Sequence, residues 1–308
     1  MYLNNFILRL KSKLTTKPSL EFWSKHPLDS PKLVYQSIIN SIEKGFPTCI
    51  ARVGSVEAQV ILWSQNISIP CYPIGKWQTK FSDTEKGTTN AGIRPRTRQS
   101  YKIYGDLAFK AISNIDHLAV WCTDYEASLI NQSNYHFTLS EVEHFAPTMQ
   151  EFQPHWIDAL SGKKVLVISP FQESIQNQIP KISQIWPNRK WFIDSEFTFY
   201  KFPYLIDSNC SLNWLDVYSS IAEILLTSNY EVALFGCGGL GLPLASVAKQ
   251  TGKIGIHLGG HLQLIFGIYG NRHLSQEWHR RCINSAWIRP LKNEVPSTAN
   301  AVENACYW

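Results

Sequence analysis

Short apolar runs and longer stretches of helical spacing alternate along most of the chain, and polar or glycine-rich turns separate them. Residues 232–235 and 254–258 are apolar runs typical of buried strands, and residues 242–249 between them have helical spacing. Gly252 suits the end of that helix, and helical spacing returns over residues 262–268. This order of elements is the building unit of a parallel sheet that is covered by helices.

The same two patterns recur over the rest of the chain. The apolar runs predict strands at residues 46–53, 117–121, 165–168 and 191–193, and helical spacing predicts helices at residues 31–44, 101–112, 155–160 and 212–226. We therefore expect an α/β fold, with a Rossmann-like, mostly parallel sheet flanked by helices. Its halves would span about residues 31–150 and 160–308, and the polar stretch 76–98 would be a surface loop.

Residues 1–30 are predicted to form an amphipathic basic helix followed by a proline-punctuated linker. Within residues 1–17 the apolar side chains recur at helical spacing and basic side chains occupy other positions. Such a helix can lie on an anionic membrane surface, or it can dock on the protein's own core. The sequence leaves these two alternatives open.

Composition narrows the functional classes. The chain has 308 residues, ordinary apolar content and a formal charge of +5, which is too weak to indicate a nucleic-acid partner. No apolar run is long enough to span a bilayer, and no secretory signal is recognisable. The seven cysteines show no zinc-binding spacing and suit reduced thiols. We expect a cytoplasmic protein, with peripheral contact at the inner membrane face through residues 1–17.

Two glycine turns, each directly after a predicted strand, are the first candidate binding site. Glycines allow a backbone to approach a phosphate and leave N–H groups at helix starts free to bind it. No carboxylate ends the strand before Gly259, which disfavours NAD(P), and the glycines can alternatively serve only close packing. The candidate binding residues here are Gly236, Gly238, Gly239, Gly241, His257, Gly259, Gly260 and Gln263.

Polar residues also follow the strand at residues 46–53, in the run Arg52-Val53-Gly54-Ser55-Val56-Glu57. Sites in parallel sheets collect beyond the carboxyl ends of strands. Glu57 could bind a divalent cation or a sugar hydroxyl, and Arg52 could bind phosphate or hold Glu57 in place. The alternative is an ordinary helix start, with Ser55 as the N-cap and Glu57 complementing the helix dipole.

Three further segments carry candidate chemistry. Asn90 lies in the polar loop, where it could contact an acceptor or a phosphate. A pair of carboxylates, Asp124 and Glu126, follows the strand at residues 117–121, and it is a second-choice metal site. After the strand at residues 165–168, Ser169 and Ser174 could bind phosphate, Glu173 could serve as a general base, and Phe171 is a further candidate for nucleotide or substrate binding. The alternative is a capped helix start.

Taken in order, these motifs resemble the GT-D fold glycosyltransferases, bacterial enzymes of surface-glycan and glycoprotein assembly. The resemblance covers roughly residues 42–308 and is carried by residues 52–57, 90–92, 162–171, 231–272 and the ending Cys306-Tyr307-Trp308. It implies a hexosyltransferase of surface polysaccharide synthesis, with a UDP-sugar donor, a glycan or lipid-linked acceptor, and Mn²⁺ or Mg²⁺.

The family's D-x-E metal motif sits in the context R-x-G-D-G-E. Here Ser55 stands at the Asp position and Val56 at the middle position, so Glu57 alone is kept of the two metal-binding carboxylates. A hydroxyl is a weak ligand for a hard cation, so a metal bound to Glu57 would need the diphosphate and water as its other ligands. Alternatively, basic residues would neutralise the leaving group in place of a metal. Arg52 and Glu57 are the first catalytic candidates, and the base could be Glu173, Asp124 or Glu126. Two other classes stay open: a non-catalytic nucleotide-sugar-binding protein and an NAD(P) oxidoreductase.

Overall fold

The computed structural model describes residues 17–71, 75–133, 136–149 and 153–308. The strands are β1 (Thr48–Arg52), β2 (Ser68–Cys71), β3 (Gly75–Gln78), β4 (His117–Val120), β5 (Thr138–Glu141), β6 (Lys164–Ser169), β7 (Glu196–Lys201), β8 (Val232–Phe235) and β9 (Ile254–His257). The longer helices are α1 (Lys17–Lys25), α2 (Pro31–Lys44), α3 (Ser55–Ser64), α4 (Lys86–Thr89), α5 (Arg98–Ile112), α6 (Asp124–Gln132), α7 (Gln172–Gln178), α8 (Ile182–Ile185), α9 (Trp214–Thr227), α10 (Gly241–Gln250), α11 (His261–Ile265), α12 (Asn271–Leu274) and α13 (Glu277–Arg280).

Single 3-10 turns complete the described elements, at Phe81–Thr84, Val142–Phe145, Trp156–Leu160, Ile179–Lys181, Gly238–Leu240, Lys292–Glu294 and Ala299–Ala301.

One sheet of seven strands organises the described chain, in the order β5-β4-β1-β9-β8-β6-β7. Every pairing in it is parallel, and β2 and β3 form a separate antiparallel hairpin. This confirms the predicted α/β, Rossmann-like fold. The two predicted halves share this sheet, because β1 pairs with β4 on one side and with β9 on the other. All seven carboxyl ends therefore meet at one edge.

The central strands are apolar because both faces of the sheet are covered. On β8, Ala233 and Phe235 belong to one core cluster, whereas Val232 and Leu234 belong to the cluster on the other face. All four side chains are buried. A strand buried on both faces cannot alternate with polar residues, which explains the continuous apolar runs in the sequence.

The predicted helix over residues 31–44 is confirmed as α2. The Ser30 hydroxyl accepts a hydrogen bond from the Leu33 N–H, and Gly45 ends the helix at φ 68°. The helix over residues 262–268 is shorter than expected and ends at Ile265. Residues 155–160 form a 3-10 turn, at Trp156–Leu160.

Two predictions were wrong. Residues 191–194 form a turn, and the strand of this region is β7. The stretch 76–98 is not one surface loop, since it contains most of β3, a 3-10 turn and α4. Ala91 and Ile93 from that stretch are buried in the core. Their burial comes from neighbours distant in sequence, which local polarity does not reveal.

Part of the predicted N-terminal linker is helical. Helix α1 packs against α6 and β2, and Trp23 is 5% exposed. The amphipathic helix predicted over residues 1–17 lies outside the described residues except for Lys17, which begins α1. Among the helices that the structure describes, none combines the length and apolar character needed to cross a bilayer.

A buried carboxylate fastens residues 291–308 onto the carboxyl edge of the sheet. Glu294 is fully buried and accepts hydrogen bonds from the Glu173 N–H (2.7 Å) and the Ser174 N–H (3.0 Å). The Ser174 hydroxyl donates to the same carboxylate. The Glu294 carbonyl accepts hydrogen bonds from the Trp308 indole N–H (3.0 Å) and the Tyr204 hydroxyl. One residue therefore joins α7 to the wall formed by Tyr204 and Trp308.

Replacing Glu294 should be costly. We expect Glu294→Ala to lower the free energy of unfolding by roughly 3 kcal/mol, because three buried donors lose a charged acceptor. Glu294→Gln keeps one acceptor oxygen and should lose less. Urea unfolding measures both, with the exposed Glu223→Ala in α9 as control, which should stay within about 0.5 kcal/mol of the parent. Equal losses in Glu294→Ala and Glu223→Ala would contradict this anchoring role.

Candidate functional site

A cavity of about 380 Å³ lies over the carboxyl edge of the sheet. Arg52 at the end of β1, Ser169 at the end of β6, Gly236 after β8 and His257 at the end of β9 all line it. These strands are neighbours or near neighbours in the sheet, so their ends converge. This edge is where parallel α/β sheets bind ligands.

The structure brings most of the predicted site residues together here. Those that line the cavity are Arg52, Gly54, Ser55, Glu57, Asn90, Ser169, Phe171, Gly236, Gly238, His257, Gly259, Gly260 and Gln263. Gly239, Gly241, Asp124 and Glu173 are not among its lining residues.

Glu57 lies at the start of α3 and faces the cavity at the same time. A Cβ atom on Gly54 would come within 2.3 Å of Glu57 Oε2, so only glycine lets the carboxylate fold back here. The carboxylate accepts a hydrogen bond from its own N–H. Burial raises the pKa of Glu57, and this bond and the nearby Arg52 guanidinium oppose the rise.

Ser55 has a different place from the one expected of an N-cap. Gly54 is the N-cap of α3, and no side chain caps it. Ser55 is the first helical residue, and its side chain is exposed at the cavity. The alternative in which Ser55 is the N-cap is therefore wrong, whereas Glu57 does lie in the first turn of α3.

Arg52 is packed between an aromatic ring and a glycine turn. Its guanidinium lies over the Trp121 ring, 4.9 Å from the centroid. Gly259 has φ +52°, and a Cβ atom there would come within 2.5 Å of Arg52 Nη2. Burial lowers the pKa of Arg52, while Tyr307 and Glu57 favour its charged form. Since arginine is protonated at any physiological pH, Arg52 brings a fixed cation to the cavity.

Arg272 is a second cation of the cavity, and the sequence did not single it out. It lies 4.8 Å from the centroid of the Tyr307 ring and donates a hydrogen bond to the Tyr307 hydroxyl (3.1 Å). It also pairs with Glu303. The Tyr307 and Cys306 groups and Glu303 favour its charge and raise its pKa, against the effect of burial.

The segment 303–308, part of which lines the cavity, begins with three residues in the left-handed backbone conformation. Glu303, Asn304 and Ala305 have φ of 47°, 56° and 55°. Each left-handed residue that is not glycine costs about 1–2 kcal/mol. Contacts to the segment offset this cost: the Cys306 carbonyl accepts from the Arg272 N–H (2.9 Å), and the Gln263 amide donates to the Tyr307 carbonyl (3.2 Å).

His257 is a neutral wall residue. Burial and the Arg52 cation lower its pKa to about 3. A Cβ atom on Gly241 would lie 2.1 Å from the His257 ring, so Gly241 serves close packing. Gly239 likewise packs against Ala91, and its carbonyl accepts from the Tyr104 hydroxyl (2.8 Å). The packing interpretation of the glycine turn also fits Gly236 and Gly238, where a Cβ atom would lie 2.9 Å from the Leu262 side chain and 3.0 Å from the Ala91 carbonyl oxygen, although these two glycines also line the cavity.

Glu126 has a structural role. Its carboxylate accepts from the backbone N–H groups of Trp121 (2.9 Å) and Thr123 (2.8 Å), and its side chain is buried. It forms a capping box with Thr123 at the start of α6, where Asp124 is the first residue. Glu126 thus positions Trp121 and Thr123, which do line the cavity.

Glu173 does not line the cavity. Its carboxylate pairs with Lys201 (2.7 Å) and accepts from the Asn293 amide. These hydrogen bonds lower the pKa of Glu173, and a lowered pKa weakens a carboxylate as a general base. Its backbone N–H is bound to Glu294. The carboxylates that line the cavity are instead Glu57, Glu143 and Glu303.

One wall of the cavity is aromatic. Phe171 makes edge contacts with Tyr204 and Trp308, with ring centroids 6.4 Å and 6.3 Å apart. Ser169 accepts from the Phe171 N–H (3.2 Å) and fixes this wall to the end of β6. The aromatic stretch at residues 197–204 reaches the cavity only at its end, through residues 202–204.

The surroundings of Glu57 do not fit Mn²⁺ or Mg²⁺. Such hard cations need several oxygen ligands, and the Glu57 carboxylate lies beside the Arg52 cation with Glu303 as its nearest carboxylate. Within the described parts of the chain, His, Cys, Asp and Glu ligand atoms converge in threes only at Glu143, His261 and His279.

Comparisons of the chain with protein-family models, with curated proteins and with solved structures found no match.

The raised pKa of Glu57 makes a prediction about stability. A carboxylate whose pKa is higher in the folded state than the ordinary 4.5 costs stability once the pH exceeds that ordinary value. Glu57→Gln removes the cost, so its stability relative to the parent should increase between pH 4.5 and pH 7.5. Urea unfolding at both pH values measures this difference.

Glu173→Gln is the matched control with the opposite sign. Lys201 and Asn293 hold the pKa of Glu173 low, so its carboxylate favours folding above the ordinary pKa. The variant should therefore lose stability relative to the parent over the same pH range, by a small amount because the pair is exposed. If instead the free energy of unfolding of the parent increases relative to that of Glu57→Gln as the pH rises, the folded protein stabilises the charged form of Glu57.

Proposed function

We propose that the protein is a glycosyltransferase that transfers a sugar from a UDP-linked donor to a glycan or lipid-linked acceptor in surface polysaccharide synthesis. The observation that carries this proposal is that two arginine cations and two glycine turns line one cavity at the carboxyl edge of a parallel sheet. The resemblance of the motifs to GT-D glycosyltransferases supports it.

The two cations favour an anionic ligand with more than one charge. Arg272 lies close enough to Arg52 to disfavour the charge of Arg52. Two cations that face one cavity favour an anion that can bind both of them. A diphosphate is such an anion, because its oxygens can accept hydrogen bonds from two guanidinium groups. The turns at Gly236–Gly238 and Gly259–Gly260 line the same cavity, and backbone N–H groups of glycine turns are common phosphate ligands.

The aromatic wall supplies the second half of a nucleotide site. Phe171, Tyr204 and Trp308 offer flat apolar surface that suits a base or a sugar ring. The cavity volume of about 380 Å³ falls within the range of small-molecule sites. Polar and aromatic walls on one cavity match the two chemical ends of a nucleotide sugar.

The proposed chemistry uses fixed charges. In sugar transfer the nucleoside diphosphate leaves with negative charge, and Arg52 and Arg272 would stabilise that charge as it develops. Glu57 is the carboxylate that we assign to the acceptor hydroxyl, because it lines the cavity and burial raises its pKa toward the working range of a general base. Glu173, Asp124 and Glu126 lie outside the cavity lining.

A second candidate is a nucleotide-sugar-binding protein without catalysis. Two observations favour it: Ser55 stands in place of the family's carboxylate, and the Glu57 carboxylate is partly engaged with its own N–H. An NAD(P) oxidoreductase has less support, since β9 ends in His257 and no carboxylate follows to hold a ribose.

Nucleotide binding should depend on both arginines. We expect UDP to raise the melting temperature, because a ligand at a hundredfold its Kd stabilises by about 2.7 kcal/mol, and we expect NAD⁺ and NADP⁺ to have no such effect. Arg52→Gln and Arg272→Gln should each weaken UDP binding by about tenfold or more, the cost of a lost charged hydrogen bond. The exposed Arg281→Gln is the control. Protection by NAD⁺ but not UDP would reject the proposal.

Sugar transfer should depend on Glu57. We expect Glu57→Gln to keep UDP binding and to lower turnover of UDP-sugar by about a hundredfold, or about 2.7 kcal/mol of transition-state stabilisation. UDP release from a panel of UDP-sugars measures this, and the exposed Glu223→Gln should retain the parent rate. UDP binding without turnover of any UDP-sugar by the parent would favour the binding protein over the enzyme.

A further inference from the structure

Three buried side chains from distant parts of the chain converge beside the cavity. Glu143 comes from the 3-10 turn after β5, His261 begins α11 after β9, and His279 lies in α13. One ligand atom of each lies within 4.8 Å of the others. Their exposed fractions are 7%, 7% and 0%.

The distances between these atoms suit a shared ligand better than direct hydrogen bonds. Glu143 Oε2 lies 3.5 Å from His261 Nε2 and 3.7 Å from His279 Nε2. Both separations exceed the length of an N–H···O hydrogen bond. They match the separation of about 3.4 Å between two ligands that sit at about 2.1 Å from a tetrahedral zinc ion.

The imidazole of His279 is prepared to bind through Nε2. Its Nδ1 is bonded to the Thr148 hydroxyl at 2.6 Å, which suits the tautomer with the proton on Nδ1. Metal-binding histidines commonly donate their second ring N–H to an oxygen in this way. Within the described residues, the buried His279 Nε2 makes no hydrogen bond. Buried polar atoms rarely lack a hydrogen-bond partner, and a bound ion is one kind of partner that accounts for such an atom.

A fourth histidine adjoins the cluster and has a different role. His273 Nδ1 accepts the Gly270 N–H at 2.9 Å, so its ring proton lies on Nε2 and that nitrogen has no lone pair for a metal. His273 packs against His279, with ring centroids 5.4 Å apart. The ligand set is therefore two histidines and one carboxylate.

We propose that Glu143, His261 and His279 form a binding site for a first-row transition-metal dication such as Zn²⁺. Two imidazoles and one carboxylate are typical of zinc and other first-row metals, whereas Mg²⁺ and Ca²⁺ prefer sets of oxygens. Glu143 and His261 also line the cavity. The ion would thus keep an open coordination position for an oxygen anion of a bound ligand. The site stands independently of the proposed sugar transfer.

The test is a Zn²⁺ titration by calorimetry of the whole protein after dialysis against EDTA, without nucleotide. We expect one equivalent to bind. His261→Gln, His279→Gln and Glu143→Gln should each weaken binding by more than the about 10- to 100-fold that loss of an outer hydrogen bond costs. His117→Gln, which removes a buried histidine bonded to Thr138, is the matched control and should bind Zn²⁺ like the parent.

Thr148→Val tests the site without touching a ligand. It keeps the shape of the side chain and removes the bond to His279, so Zn²⁺ affinity should fall about 10- to 100-fold. Co²⁺ absorption bands that appear in the parent and not in His279→Gln would support nitrogen ligation. The proposal is overturned if the parent binds no Zn²⁺ at micromolar concentration, or if all four variants bind like the parent. Because UDP protection is measured separately, either proposal can fail alone.

Discussion

The parallel pairing of β1 with β9 is the constraint on which the site depends. Cys49 pairs with Gly255 and Ile50 with Ile256, in the centre of the sheet. This register sets the end of β1, which carries Arg52, beside the end of β9, which leads into Gly259. The guanidinium then lies against the glycine turn, at a distance that a Cβ atom would not permit. Residues about 200 positions apart become one wall because two buried apolar strands pair.

The segment 303–308 completes the cavity at a cost in backbone energy. Three consecutive left-handed residues are unfavourable, and the segment keeps them because Arg272, Gln263 and Glu294 hold its two ends. Strained backbone that the surrounding contacts maintain is common at ligand sites. The ion pair of Arg272 with Glu303 also balances charge at the rim. Structure and electrostatics are therefore linked through Arg272.

The ionisable groups in and beside the cavity divide into two zones. Arg52, Arg272, Glu57 and Glu303 influence one another's protonation and form a mixed polar zone. Glu143, His261 and His279 form a second, buried zone, and Glu143 is close enough to favour the charge on Arg52. Burial lowers the pKa of His279 to about 3, so its imidazole is neutral near pH 7. An anion in the cavity therefore meets its cationic partners, Arg52 and Arg272, in the first zone.

The sequence by itself determined the sheet and the edge at which the site lies. A strand covered on both faces must be apolar, whatever its partner, so β1, β6, β8 and β9 were visible as apolar runs and their polar ends marked the cavity. The strands at the edges of the sheet were harder to predict from the sequence. β7 is only partly buried and was misplaced, and β5 was not recognised, because half-covered strands lack a continuous apolar pattern.

Tertiary structure alone decided the roles of individual side chains. Glu126 and Glu173 resembled site residues in the sequence, but one caps a helix and the other pairs with Lys201, since their partners come from the folded arrangement. The Glu143, His261 and His279 cluster has no local signal, because 118 residues separate its first two members. Sequence spacing reveals what lies within a turn or a strand. Convergence across the sheet depends on strand order, which the local pattern does not encode.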